Sequence, residues 1–478
     1  MTRSLFTLIV SIAVTSAAGA ASPGEIRKAM KSGDKNEVSR LLGELNGSLD
    51  KATVKAVLSN ATRVRTLGVY DELVTTLNSA RGEALEELIK QAKRNKQADV
   101  RFLIVDALGR VPEQSAEQAL LEALEDDKDQ TVAVLAARKL GKRGTPTAVD
   151  ALIPILEELE DEGERPRMIR EVNGALQTLT GNDLDNARGW KTWWDAHRSE
   201  FTAQAPDEGE GTKTRNALDR MRKERPGDAR TMERIRDDEI IAIKGSSDKV
   251  EDVLAELDLK HKTYNRDEFD SVKLDPARQV LILNCAGNKT LSDEGIQRVR
   301  AFVAEGGYLF TSDWELRNTL EKAFPEVVAF LKESPREEKK VTIKAPPEAY
   351  THPLMRDVFP LGTWSEREFT WNLDGRSHLV KDNRALTVLV SCPEIKDLGS
   401  TTVAFTFGFT DKGGGRPVTG APSKKGPIGG RVLHVLSHFK NQKDESGDGY
   451  ALQQLLLNFI VEKQEARKAA KLVGKKRR

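Results

Sequence analysis

Apolar positions between residues 25 and 201 recur at spacings of three and four. Leu103, Val105 and Leu108 form one such set, and Val132, Leu135, Ala136 and Leu140 another. This period predicts amphipathic helices. Asp106-Ala107-Leu108-Gly109 recurs 32 residues on as Arg138-Lys139-Leu140-Gly141. Gln177-Thr178-Leu179-Thr180-Gly181 echoes it a further 40 residues along, and Leu67-Gly68 is a fainter copy. Each glycine predicts a helix end, because glycine accepts the left-handed conformation there. Second helices are predicted over 116–125 and 148–160, after turns holding Pro112 and Pro146.

From residue 240 the pattern changes to short continuous apolar runs separated by helices. Strands are predicted at 240–243, 262–264, 279–284, 308–311, 386–391, 402–409 and 431–437. Helices are predicted at 248–257, at 295–305 with Ser292 as N-cap, and at 450–463. Buried runs joined by helices predict a parallel sheet covered on both faces. Residues 346–379 read as an insertion, and 412–430, with seven Gly and three Pro, as a long loop. Between the two patterns lies a linker, residues 202–239. Its last 37 residues carry nine Lys/Arg and ten Asp/Glu, with no sustained apolar stripe and at most a short helix near 213–225.

Composition narrows the function classes. The chain has 478 residues, two Cys, 75 Lys+Arg and 74 Asp+Glu. Two cysteines exclude a disulfide scaffold, and the near-zero sum excludes a globally basic nucleic-acid binder. Residues 1–20 have the layout of a secretory signal peptide: Arg3, an apolar run from Leu5 to Val14, then Ala18-Gly19-Ala20. Cleavage after Ala20 predicts a secreted or periplasmic protein. The tail, residues 464–478, carries seven positive charges between Arg467 and Arg478. It is a candidate contact for an anionic surface, although a solvated end is the plainer reading.

The helix-turn-helix units of residues 25–201 resemble HEAT repeats, a bacterial array closed by Trp190, Trp193 and Trp194 on one helix face. The resemblance implies an all-α solenoid with a protein partner. Residues 240–463 resemble the class I glutamine amidotransferase-like superfamily, in its trehalose-utilisation-like branch. The likeness rests on Val280-Leu281-Ile282-Leu283-Asn284-Cys285, on Leu291-Ser292-Asp293-Glu294, and on Phe302-Val303 followed by Gly306-Gly307-Tyr308-Leu309-Phe310. Thr351-His352-Pro353-Leu354 and the run from Gly430 to His438 add to it. It implies a flavodoxin-like three-layer α/β domain with any site at the C-terminal strand ends.

Active members of that superfamily place a Cys on a tight strand-to-helix turn and draw a His and a Glu from a later segment. Here the matching turn reads Ser312-Asp313-Trp314, and the later segment reads His438-Phe439-Lys440. The His is kept, and the Cys and the Glu are not. The first reading is therefore a non-enzymatic binding or scaffold protein with a degenerate domain. The alternative is a hydrolase or carbohydrate-processing enzyme using a cleft near Ser312, Asp313 and His438, lined by Trp314, His352, Trp364 and Trp371. Cys285 and Cys392 both follow strands and form a candidate disulfide. Asp313 with His438, His434 or His352 is the metal-ligand grouping the residue types allow. No motif of secure metal spacing or phosphate-binding glycines is present, so neither metal nor cofactor is assigned.

Overall fold

The computed structural model describes residues 21–163, 165–202, 216–361, 364, 368–418, 429–442 and 448–476. The expected signal peptide and the last two tail residues lie outside them. Among the described residues no helix is long and apolar enough to cross a membrane. The chain divides into two compact units, residues 1–111 and 112–478.

The first unit is helical. Pro23–Ser32, Lys35–Leu45, Lys51–Leu58, Tyr70–Asn78, Gly82–Arg94 and Ala98–Leu108 follow one another with short turns. Local chemistry sets the starts. Ser22 and Glu25 form a reciprocal capping box, and Asp34 accepts from the backbone of Asn36 and Glu37. From the first helix to the sixth, each helix packs on the one two further along. That is the stacking of a repeat array.

The second unit opens with the helices Gln114–Asp126, Gln130–Arg143, Pro146–Glu162, Pro166–Thr180 and Ala187–His197. Trp190 and Trp194 are buried, and each indole N–H donates at 2.6 Å, to Asn173 and Asp150 respectively. Gly181 ends its helix in the left-handed conformation, as the sequence predicts. Gly141 does not end one. It lies inside Gln130–Arg143, which stops at Gly144. The reason is packing: a Cβ at Gly141 would sit 2.9 Å from Ala175 Cα on the neighbouring helix.

The expected linker is a correction for its described part. Residues 217–233 form two helices, Ala217–Glu224 and Pro226–Glu233, with Leu218, Met221, Ala229 and Met232 in the core. The stripe is narrow enough to be hidden among charges, and some of those charges are themselves buried and paired. Arg225 contacts Asp357 at 2.9 Å and Asp228 at 2.8 Å. Arg138 grips Glu171 through two 2.8 Å hydrogen bonds and reaches Asp357 at 2.6 Å. Arg356 joins Glu171 at 3.2 Å to Asp228 at 2.9 Å. Arg167 lies 3.7 Å from Glu171 and donates to the Tyr350 carbonyl.

The sheet is built from Ile240–Ile243 (β1), Lys262–Tyr264 (β2), Val280–Leu283 (β3), Tyr308–Ser312 (β4), Thr387–Ser391 (β9), Thr402–Thr410 (β10), Gly414–Arg416 (β11) and Gly430–Val435 (β12). Two small ribbons come from Phe330–Glu333 (β5) with His378–Val380 (β8), and Lys339–Ile343 (β6) with Phe369–Leu373 (β7). The order is β11-β10-β12-β4-β3-β1-β2, with β9 also on β10. Strands β2, β1, β3, β4 and β12 run parallel. Strands β9, β10 and β11 pair antiparallel, so the sheet is mixed and the wholly parallel expectation is corrected. Short returns such as β10 to β11 leave no room for the crossover that parallel pairing needs. The predicted 412–430 loop accordingly contributes β11. The closing helix runs Asp448–Lys476, well past residue 463. Apolar clusters fill both faces of the sheet.

Two stability outcomes follow. Gly141→Leu should lower the unfolding free energy by about 1–3 kcal/mol through overpacking, read by urea denaturation. Glu171→Gln should cost about 3–5 kcal/mol, because the buried lattice of Arg138, Arg356 and Arg167 loses one compensating negative charge. Burial alone would raise the Glu171 pKa, but the guanidinium groups of Arg138, Arg356 and Arg167 outweigh it and hold the carboxyl below the usual range. Its contribution is therefore full above the ordinary carboxylate pKa and is lost as acid drives pH below it, so the two proteins should converge in stability at low pH.

Candidate functional site

Four neighbouring parallel strands end on the same edge, and each delivers a side chain there. Asp248 follows β1, Cys285 follows β3, Asp313 follows β4 and His438 follows β12. The strand order β12-β4-β3-β1 makes these four ends adjacent. The C-terminal edge of a parallel sheet is where such folds place their chemistry.

Asp313 is held in a backbone shape that few residues adopt. Its φ is +42°, in the left-handed region. Its N–H donates to the Val435 carbonyl at 2.9 Å, its own carbonyl accepts from Leu316 at 2.9 Å, and its Oδ1 accepts from the His378 N–H at 2.9 Å. These bonds fix a strained strand-to-helix turn and leave Oδ2 3.6 Å from His438 Nε2. On the other side of the ring, His438 Nδ1 contacts Asp374 Oδ2. Asp374 lies between β7 and β8. Gly375 beside it packs so closely on the Arg336 carbonyl that a Cβ there would sit at 1.8 Å.

Cys285, Asp313 and His438 place one donor atom each within 4.8 Å of one another. Cys285 is locked by its backbone. Its carbonyl accepts from Ser247 at 3.0 Å and Asp248 at 3.3 Å, and its N–H donates to Ser312 Oγ at 3.2 Å. A Cβ on Gly245 would lie 2.2 Å from that carbonyl, so only glycine lets the β1 and β3 loops meet. Asp248 Oδ1 accepts from the N–H groups of Lys249 at 2.9 Å and Phe439 at 3.0 Å, which ties β1 to the segment carrying His438.

The cluster is buried: Asp313 is 1% exposed, His438 3% and Cys285 1%. The side chain of Asp374, 18% exposed, is its most open member. Burial pushes Asp313 up to about 7, against the His438 charge and the His378 N–H, and Asp374 adds repulsion. Burial likewise raises Asp248. Burial would lower His438, but the contact with Asp374, with help from Cys285, Asp248 and Asp313, raises it to about 11. A buried carboxyl and a buried imidazole both pushed upward at the ends of adjacent parallel strands mark a candidate functional site.

The structure therefore brings together Asp313 and His438 from the expected set and adds Cys285, Asp248 and Asp374. A carboxylate does reach His438, from Asp374 in the insertion, whereas Lys440, two places past His438, has none. Ser312 lies beside the cluster: its hydroxyl accepts the Cys285 N–H at 3.2 Å, and among the described residues no hydrogen bond joins it to His438. The disulfide is also corrected, since Cys285 and Cys392 are both free and buried, Cys392 within the apolar core.

Trp314 stacks on His378 at 4.9 Å and donates to the Arg376 carbonyl at 2.9 Å, which supports the Asp374 turn. The other expected cleft residues are packing groups. Trp371 is fully buried in the core and Trp364 nearly so. His352 caps a short turn through its Nδ1, and burial lowers it to about 3. His434 bonds Thr311 at 2.8 Å inside the sheet.

Known proteins match parts of the chain. The HEAT-repeat family model matches residues 85–170, so the N-terminal region carries HEAT-like repeats. Trigger factor of Burkholderia mallei (strain SAVP1) is 36% identical over 101 residues, which is 21% of this chain and 21% of that protein. The chain thus spans about a fifth of the length of the curated relatives it matches. Among solved structures, a candidate GMP synthase component from Thermoplasma acidophilum aligns with TM-score 0.32 and 12% identity, over 49% of this chain and 98% of that one. A candidate ThuA-like protein from Bacteroides uniformis aligns with TM-score 0.31 and 10% identity, over 48% and 92%.

Gly245→Ala tests how the site is assembled. It should lower the unfolding free energy by about 1–3 kcal/mol, because the new methyl must displace the Cys285 backbone. Differential urea melts against wild type would measure it.

Proposed function

We propose that residues 240–463 form a flavodoxin-like, amidotransferase-like domain with a hydrolase-type site, and that Asp313, His438 and Asp374 carry its chemistry. One observation supports this above the rest. A carboxylate on a strained strand-to-helix turn faces one nitrogen of a histidine whose other nitrogen is held by a second carboxylate. This is the arrangement of reacting group, proton-transfer partner and orienting group that hydrolytic sites share. Asp313 is the base that takes a proton from an attacking water. His438 is the acid that protects developing negative charge and protonates the leaving group. Asp374 orients the ring. The helical repeats supply a protein-binding surface, and the chain works outside the cytoplasm, as the sequence of residues 1–20 suggests.

The second reading is a non-enzymatic binding protein with a degenerate site. The deep burial of Asp313 and His438 favours it. Chromogenic ester, amide and glycoside probes separate the two. A hydrolase should turn over at least one class, and Asp313→Asn and His438→Gln should each cut the rate by about 10²–10⁴-fold. Turnover absent with all three probe classes, or equal in wild type and both variants, would leave the binding reading.

A further inference from the structure

The acid–base reading leaves Cys285 without a task, and this thiol is where the cluster offers more. We propose that Cys285 Sγ, Asp313 Oδ2 and His438 Nε2 form a binding site for one divalent d-block cation of the zinc type. Three elements of the sheet edge bring one sulfur, one oxygen and one nitrogen donor within 4.8 Å of one another. Around a four-coordinate metal with bonds of about 2.0–2.3 Å, neighbouring donors stand about 3.5 Å apart. The 3.6 Å from Nε2 to Oδ2 has that spacing.

A second observation points to a ligand. Both ring nitrogens of His438 are buried, and neither has a hydrogen-bond partner of proper geometry among the described residues. Nδ1 is already turned to Asp374, so Nε2 is the atom aimed into the cluster. A carboxylate on the far nitrogen of a metal-bound histidine fixes the ring and raises its donor strength. Asp248, also buried, has an Oδ2 that makes no hydrogen bond of proper geometry among the described residues.

Donor type selects the cation. Calcium and magnesium take oxygen ligands and would leave the thiol unused. A sulfur–nitrogen–oxygen set suits zinc, cobalt and related ions. Three protein ligands leave a fourth position open, as in sites where a metal activates water. Binding requires the thiolate and the unprotonated Nε2, so metal entry releases protons. The location rests on the site described above; a bound ion occupies Oδ2 and Nε2, so the metal-loaded state and the acid–base state exclude one another, and binding does not depend on turnover.

The test uses the full mature chain, stripped with a chelator and titrated with Zn²⁺ and with Co²⁺. One equivalent should bind, and Co²⁺ should give a thiolate-to-metal charge-transfer band in the near ultraviolet. Cys285→Ser should abolish the band, and His438→Ala should weaken binding at least about tenfold. Cys392→Ser should keep both. Circular dichroism of each variant reports folding. Should a ligand variant not fold, Asp374→Ala supplies the reading, with an expected loss of about 10–100-fold in affinity. No stoichiometric binding by wild type, a Co²⁺ spectrum without the thiolate band, or binding unchanged in Cys285→Ser would overturn the proposal. A chain that binds the ion and hydrolyses nothing overturns only the hydrolytic reading.

Discussion

The second unit depends on a buried lattice of guanidinium and carboxylate groups. Arg138, Glu171, Arg356, Asp228, Arg225 and Asp357 are bonded in a ring of alternating charge. Four separate stretches of chain contribute: two repeat helices, the helices of residues 217–233, and the 356–357 turn. Asn458 of the closing helix adds hydrogen bonds to Arg225 at 2.8 Å and to the carbonyls of Leu354 and Arg356 at 2.7 Å. Buried charge is tolerable only with its partner in place. The lattice therefore demands one mutual arrangement of these stretches, where apolar contact alone would accept several.

That constraint reaches the site through the chain. The insertion anchored at Arg356 and Asp357 continues into β7, whose Asn372 carbonyl accepts from Ser437 at 3.0 Å and from Gln442 at 3.0 Å. Two residues past Asn372 comes Asp374, and one residue past Ser437 comes His438. The contact between Asp374 and His438 is thus held at both ends by neighbouring backbone. The other half of the site needs no insertion. Adjacent parallel strands simply end together, and close approach at Gly245 lets their loops share hydrogen bonds.

Much of this was legible in the sequence, because periodicity reports burial directly. The buried runs of β1, β3, β4, β10 and β12 and the helices of the repeat region follow from it. Asp313 and His438 were legible as positions after strands. Other features depend on long-range pairing, which spacing does not encode. Residues 217–233 look solvated because charge hides Leu218, Met221 and Met232, and nothing local says that Arg225 finds Asp357 more than a hundred residues away. Gly141 reads as a helix end until Ala175 is seen against it. Asp374 is one acid among many in the insertion; its only local signal is the Asp374-Gly375 pair, a turn signature between two apolar stretches. Cys285 reads in the sequence as half of a candidate disulfide, and only the placement of β3 beside β4 shows it as a free thiol in a cluster with Asp313 and His438.

The central claim is that Asp374 holds His438 in an oriented, functional cluster. Nitrogen NMR of the metal-free chain labelled at histidine tests it most directly, with the His438 signal assigned by its loss in His438→Gln. The account predicts a ring that keeps its Nδ1 proton across neutral pH, strongly hydrogen-bonded, and that loses this signature in Asp374→Ala. A His438 ring that titrates as a free imidazole and is indifferent to Asp374→Ala would contradict it.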